Sequence, residues 1–205
     1  MSHDHTLTSE LQTQSSRLKA QGSQLKAHTL RLIVNGREII GTAPGHYTLL
    51  RWLRDIAGVY DVKYGCGEGV CGACTVLVDA DRPESRGTGY RDFRAVSSCL
   101  VLAARLDGAS IQTVSGLLQA GPPDSGRGEL NDLQQAFLDH GAAQCGFCTP
   151  GMLMAATELL ALDEPLDEQR IREGLHGNLC RCTGYGPIVA AVQAVAAARS
   201  QRGRP

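Results

Sequence analysis

Eight cysteines fall into two groups of four with none left over, and any fold of this 205-residue chain has to close both groups. The first group is Cys66, Cys71, Cys74 and Cys99, spaced C-x4-C-x2-C with a distant fourth member. The second is Cys145, Cys148, Cys180 and Cys182, a C-x2-C pair joined by 31 residues to a C-x-C pair. Each half of the chain holds one complete quartet, which favours two small domains over one large one.

The first spacing is the one by which plant-type ferredoxins hold a [2Fe–2S] cluster on four thiolates. The second is less specific alone, and a structural zinc on four cysteines is its main rival. C-x-C is an uncommon zinc knuckle, and a second full quartet beside a cluster-type one makes a two-cluster electron carrier the leading reading. Disulfides suit these cysteines less well, because eight in 205 residues is sparse for a disulfide-stapled secreted domain. Residues 1–28 lack the apolar run of a secretory signal, so a cytoplasmic, thiol-reducing setting is expected. Export of the folded chain on a partner's signal would leave the same sequence. A formal net charge of −1 with scattered arginines argues against nucleic acid as partner, and no apolar stretch is long enough for a membrane span.

Along the chain, residues 1–28 read as a flexible arm rich in Gln, Ser and Thr. TLRLIV and REIIGTA flank Asn35-Gly36 and predict a β-hairpin. Leu49, Leu50, Leu53 and Ile56 recur at helical spacing, and Gly58 can close that helix. The loop GCGEGVCGAC (65–74) leads into a strand TVLVD; a polar hairpin tip is expected over 80–94, AVSSC returns Cys99, and IQTV (111–114) is the last strand. This is a small β-grasp-like start. Glycines and prolines mark 115–130 as a linker. Four helical segments follow: LNDLQQAFLDHG, PGMLMAATELLAL with Thr149 as cap and Pro150 at its first position, LDEQRIREGL, and GPIVAAVQAVAAARS. The predicted class is α+β: a β-grasp [2Fe–2S] domain at 29–114, then an all-α four-helix bundle at 131–200 that carries the second cluster.

The residues around the quartets suit an anionic cluster. Gly65, Gly67, Gly69 and Gly72 alternate with the first cysteines, giving backbone freedom and letting N–H groups approach sulfur. Such hydrogen bonds favour the reduced, more negative state and raise its potential. In the second quartet each cysteine pair precedes a predicted helix N-terminus, whose dipole presents positive charge, and Arg181 adds another. His140 and His176 are read as surface or core histidines, because both quartets are already full. Met152, Met154 and Trp52 are read as core and Glu68 as a solvated rim charge. No nucleophile–base constellation is visible, so substrate chemistry belongs elsewhere.

GCGEGVCGACTVLVD, SSCLVLA, QCGFCTPGM and GNLCRCTGYGPIV, in this order, resemble the iron–sulfur subunit of the xanthine oxidase family of molybdenum hydroxylases over residues 29–198. The resemblance implies an electron-transfer subunit of an oxidoreductase, working with a large subunit that carries a molybdenum pterin cofactor. A flavin subunit with FAD, or a cytochrome, would be the acceptor, in a hetero-oligomer that can double into a dimer of heteromers. It implies that Cys66, Cys71, Cys74 and Cys99 bind the cluster distal to molybdenum, and Cys145, Cys148, Cys180 and Cys182 the proximal one. Gln144 and Cys182 would meet the pterin. The 24 residues between Cys74 and Cys99 exceed the family's usual length, and the extra residues are placed at the 80–94 tip. The alternative is a stand-alone two-cluster ferredoxin-like carrier with a wholly polar surface; a cluster-based redox regulator is a third reading, without a DNA-binding pattern to support it. Substrate and final acceptor leave no mark on this chain.

Overall fold

The computed structural model describes residues 27–79, 93–120, 128–162 and 164–201. Nearly all of the expected arm, the polar tip at 80–92 and the middle of the linker at 121–127 lie outside the described residues. The hairpin forms from β1 (Ala27–Val34) and β2 (Arg37–Pro44). Asn35 and Gly36, at φ 50 and 80, make the left-handed two-residue turn that matches strand twist. The ladder starts earlier than Thr29, because Ala27 and His28 pair with Pro44 and Ala43. Alternate residues Leu30, Leu32 and Val34 are buried, which fixes the face that β1 turns to the core.

Thr48 caps the next segment by accepting the Arg51 N–H at 3.3 Å. The expected helix begins as α1 (Leu49–Arg51) but continues as a π-helical turn, Trp52–Ile56, with the Ala57 N–H donating to the Trp52 carbonyl at 3.0 Å. The wider turn keeps both Trp52 and Leu53 fully buried, and Arg54 reaches the Val62 carbonyl at 2.8 Å. This segment lies close on β2: a Cβ on Gly41 would stand 2.3 Å from Ile56 Cγ2.

β3 (Thr75–Asp79), β4 (Arg94–Ser97) and β5 (Ser110–Gln112) complete a mixed sheet in the order β2-β1-β5-β3-β4, with β1 and β5 parallel. Arg94, expected in the tip, already pairs with Val78. The last strand ends at Gln112, and Val114–Leu117 turns as a 3-10 helix whose Leu117 enters the helical core.

The second region is helical. α2 (Asp132–Asp139) opens with a capping box, Asn131 and Gln134 exchanging bonds of 2.8 and 3.0 Å between side chain and backbone. α3 (Thr149–Ala161), α4 (Glu168–Leu175) and α5 (Gly186–Gln201) follow. α2 packs on α5, α4 bridges α3 and α5, and Arg199 grips Asp132 with two bonds of 2.8 and 2.9 Å. Met152 and Met154 are buried here, as expected. Thr149 is not the cap of α3: Cys148 holds that position, and the Thr149 hydroxyl is buried without a partner.

The two regions share β3. Val76 and Val78 belong to the core under the π turn, whereas Leu77 belongs to the helical core, where α3 lies across the sheet. Covered on both faces, β3 is apolar at successive positions rather than alternating.

Candidate metal centres

Each quartet opens with the same three-residue device. In Cys66-Gly67-Glu68, Gly67 sits at φ 75 and the Glu68 N–H turns back to the Cys66 sulfur at 3.3 Å. In Cys145-Gly146-Phe147, Gly146 sits at φ 80 and the Phe147 N–H bonds the Cys145 sulfur. Only glycine takes that conformation at little cost, so Cys-Gly-x is a local way to aim an amide at a ligand sulfur. The Glu68 amide, followed by contact with the Cys71 thiol, lowers Cys66 to about 7. The Phe147 amide and then the Cys182 thiol lower Cys145. A lowered thiol is a better metal ligand, because the thiolate is the form that binds.

The remaining members of the first quartet come from the sheet. Cys71 accepts the Cys66 N–H at 3.4 Å. Cys74 precedes β3 and Cys99 follows β4; Ser98 bonds the Cys74 carbonyl from its hydroxyl at 2.7 Å, which clamps these two side by side. Burial pushes Cys99 up to about 11, reinforced by the Cys74 thiol. Gly69 takes φ 78, a left-handed conformation that favours glycine, with Leu100 packed over its Cα.

The second quartet lies at two helix starts. Cys148 stands at the N-cap position of α3 without a capping bond from its side chain, and burial pushes it up to about 12. Cys180, Arg181 and Cys182 lead through Thr183, Gly184 and Tyr185 into α5. Burial works against the Cys180 thiolate, but hydrogen bonds from the Thr183 hydroxyl and amide, the Cys182 amide and the Cys148 thiol together outweigh it, and the pKa is lowered. The Cys145 thiol raises Cys182. Gln144, Cys145 and Cys182 are all exposed, so this quartet reaches the surface at the end where Gln144 stands.

Among the described residues no three His, Cys, Asp or Glu side chains gather around a single metal-ion position. The thiols meet in pairs instead: Cys66 with Cys71, Cys74 with Cys99, Cys145 with Cys182, and Cys148 with Cys180. Two pairs per site is the donor set for two irons, each taking two thiolates, and the unpartnered Thr149 hydroxyl beside Cys148 leaves a donor for a cluster sulfide. The residues therefore fit a [2Fe–2S] group at each quartet. Burying Cys99 and Cys148 as thiolates is unfavourable without metal, so metal binding and closure of these loops are coupled.

The quartets are fastened to each other. Leu179, just before Cys180, donates its N–H to the Cys71 carbonyl at 2.9 Å. Asn178, buried, donates its side-chain amide to the Gly72 carbonyl at 2.9 Å and to Thr75 Oγ1 at 3.1 Å. Gly72, at φ 65, and Gly151 make room: a Cβ at either would lie within 2.5 Å of this joint. Asn178 and Thr183 carry no sequence signal of these contacts. The repeated Cys-Gly-x is the sequence sign of the shared loop device. His140, His176 and Glu68 are exposed, consistent with their surface readings.

A family model described as a 2Fe-2S iron–sulfur cluster binding domain matches residues 32–104, and one described as a [2Fe-2S] binding domain matches 113–193. The chain is 45% identical over 159 residues to the nicotine 6-hydroxylase small subunit of Paenarthrobacter nicotinovorans, covering 78% of this chain and 84% of that one. It is 44% identical over 164 residues to the xanthine dehydrogenase iron–sulfur-binding subunit of Escherichia coli O157:H7, covering 78% and 89%. A crystal structure of quinoline 2-oxidoreductase from Pseudomonas putida 86 superposes with a TM-score of 0.72 at 37% identity, covering 87% of this chain and 99% of the matched one.

Proposed function

The chain belongs to the iron–sulfur subunits of the xanthine dehydrogenase family of molybdenum hydroxylases, and on that footing we propose that it carries electrons out of a molybdenum pterin centre on a large partner subunit. When bound, each [2Fe–2S] cluster accepts and releases one electron at a time. Cys145, Cys148, Cys180 and Cys182 hold the proximal cluster. Cys66, Cys71, Cys74 and Cys99 hold the distal one. Gln144 and Cys182, exposed together beside Cys145, face the pterin. The helical region works as a four-helix bundle around its quartet, and the acceptor beyond the first quartet is a flavin subunit with FAD or a cytochrome. Eight cysteines used as cluster ligands, none of them in a disulfide, suit a reducing compartment, the cytoplasm, and among the described residues no helix is long and apolar enough to cross a membrane.

The observation that carries this reading is the joint between the quartets. Amides turn toward sulfur in both loops, and Asn178 and Leu179 bolt one loop to the other, so an electron at the second site has a fixed neighbour at the first. Large apolar side chains stand exposed around the sulfurs: Val70 and Leu100 are 61% and 62% exposed at the first loop, Phe147 and Leu179 48% and 54% at the second. That weighs against the stand-alone carrier, whose surface would be polar, and favours a chain covered by partners. Purification of the tagged chain from its own host tests the reading. We expect a much larger chain with stoichiometric molybdenum to accompany it; recovery as a lone monomer contradicts the subunit role.

A further inference from the structure

Between Cys180 and Tyr185 a closed ring of hydrogen bonds surrounds one ligand sulfur. Thr183 Oγ1 lies 3.1 Å from Cys180 Sγ. The same oxygen accepts the Tyr185 N–H at 3.2 Å, and the Tyr185 hydroxyl accepts the Cys180 N–H at 2.9 Å. Gly184 and Tyr185, at φ 64 and 67, fold the chain back to make these contacts. A tyrosine rarely takes that conformation, so the turn is held by what it bonds. The direction of the Thr183 bond follows. Its oxygen is engaged as an acceptor toward Tyr185, and a metal-bound cysteine sulfur carries no proton, so the hydroxyl hydrogen is given to Cys180.

We propose that Thr183 sets the reduction potential of the cluster in the helical region by donating this hydrogen bond to the Cys180 sulfur; the proposal rests on the electron-transfer reading above. A cluster on four thiolates is an anion that gains one further negative charge with each electron, and a donor aimed at a ligand sulfur stabilises the more negative state. In the first quartet the amides of Glu68, Cys66 and Gly69 supply the bonds to sulfur at Cys66, Cys71 and Cys99. Backbone donors are fixed by the fold. A side-chain hydroxyl is open to replacement, so Thr183 is a point where one residue raises one cluster's potential and makes it a better acceptor than its thiolates alone would.

The test uses the full chain loaded with both clusters, titrated with dithionite at controlled potential, each S = 1/2 signal followed separately. Cys182→Ser identifies which signal belongs to the helical region. Thr183→Val replaces the hydroxyl by a methyl of similar size, and Thr183→Ala leaves space, which keeps the test available if valine does not seat. At fixed ambient potential, the reduced-to-oxidised ratio of the helical-region cluster should fall about tenfold in both variants, equal to 59 mV for a one-electron couple. Thr183→Ser should restore it, and the first cluster should not move. Unchanged potentials at full iron content overturn the proposal, as do equal shifts in both clusters, failure of serine to rescue, or loss of iron from the second quartet in both variants. A parent chain without two one-electron signals would refute the electron-transfer reading itself, and would be seen before any variant is made.

Discussion

The two quartets solve one problem on unlike scaffolds. Both begin with Cys-Gly-x and an amide turned onto the first sulfur, and both include a thiol that burial pushes up, Cys99 in the first and Cys148 in the second. The first is then held by strands, with Cys74 and Cys99 clamped through Ser98. The second is held by helix starts and a strained turn, with Cys148 at the N-cap position of α3 and Tyr185 leading into α5. The local loop handles the sulfur; the scaffold decides which way the site opens. In the second quartet Cys145 and Cys182 are both exposed, whereas in the first Cys74 and Cys99 are buried.

The largest expected break in this comparison is Cys182→Ser. It should remove the second cluster, lower iron from about 4 to about 2 per chain, stop turnover of the assembled enzyme and leave the first cluster's signal in place. Loss of both signals would show that the two scaffolds do not hold separately.

Two glycines sharpen it next. Gly72→Ala sets a Cβ 2.5 Å from both Asn178 Nδ2 and the Gly177 carbonyl at φ 65, so it should disturb both quartets and cost more than about 2 kcal/mol in denaturant unfolding. Gly146→Ala meets nothing within 4 Å and carries only the left-handed penalty of about 1–2 kcal/mol, confined to the second quartet. Equal effects from the two would show that the joint carries no weight.

Asn178→Ala removes two bonds between the regions and should cost about 1–3 kcal/mol, with one unfolding transition separating into two by circular dichroism. Thr75 still donates to the Gly72 carbonyl at 2.7 Å, which limits the damage. Smallest is a reactivity difference in the cluster-free chain. A thiol lowered to about 7 is half thiolate at neutral pH, so mass spectrometry after brief alkylation should find Cys66 labelled well ahead of Cys148, which, pushed up to about 12, stays protonated.

The hairpin and the four later helices were legible in the chain because each rests on local signals: Asn-Gly at a turn, Pro150 at a helix start, apolar residues at helical spacing; the two quartets were legible from cysteine spacing alone. What escaped rests on tertiary contact. The slip into a π turn at Trp52 adds no residue type that differs from an α-helix. Thr149 has the chemistry of a cap, yet Cys148 takes the position. The burial of β3 on both faces depends on α3, more than seventy residues along the chain. Asn178 looks like any polar loop residue until Gly72 is brought beneath it.

The central claim is that each quartet closes on its own two-iron cluster. Iron analysis combined with electron paramagnetic resonance of the dithionite-reduced chain tests it most directly. The account predicts about 4 Fe per chain and two distinguishable S = 1/2 signals of one spin each. Zinc in place of iron at either quartet, or a single signal, would contradict it.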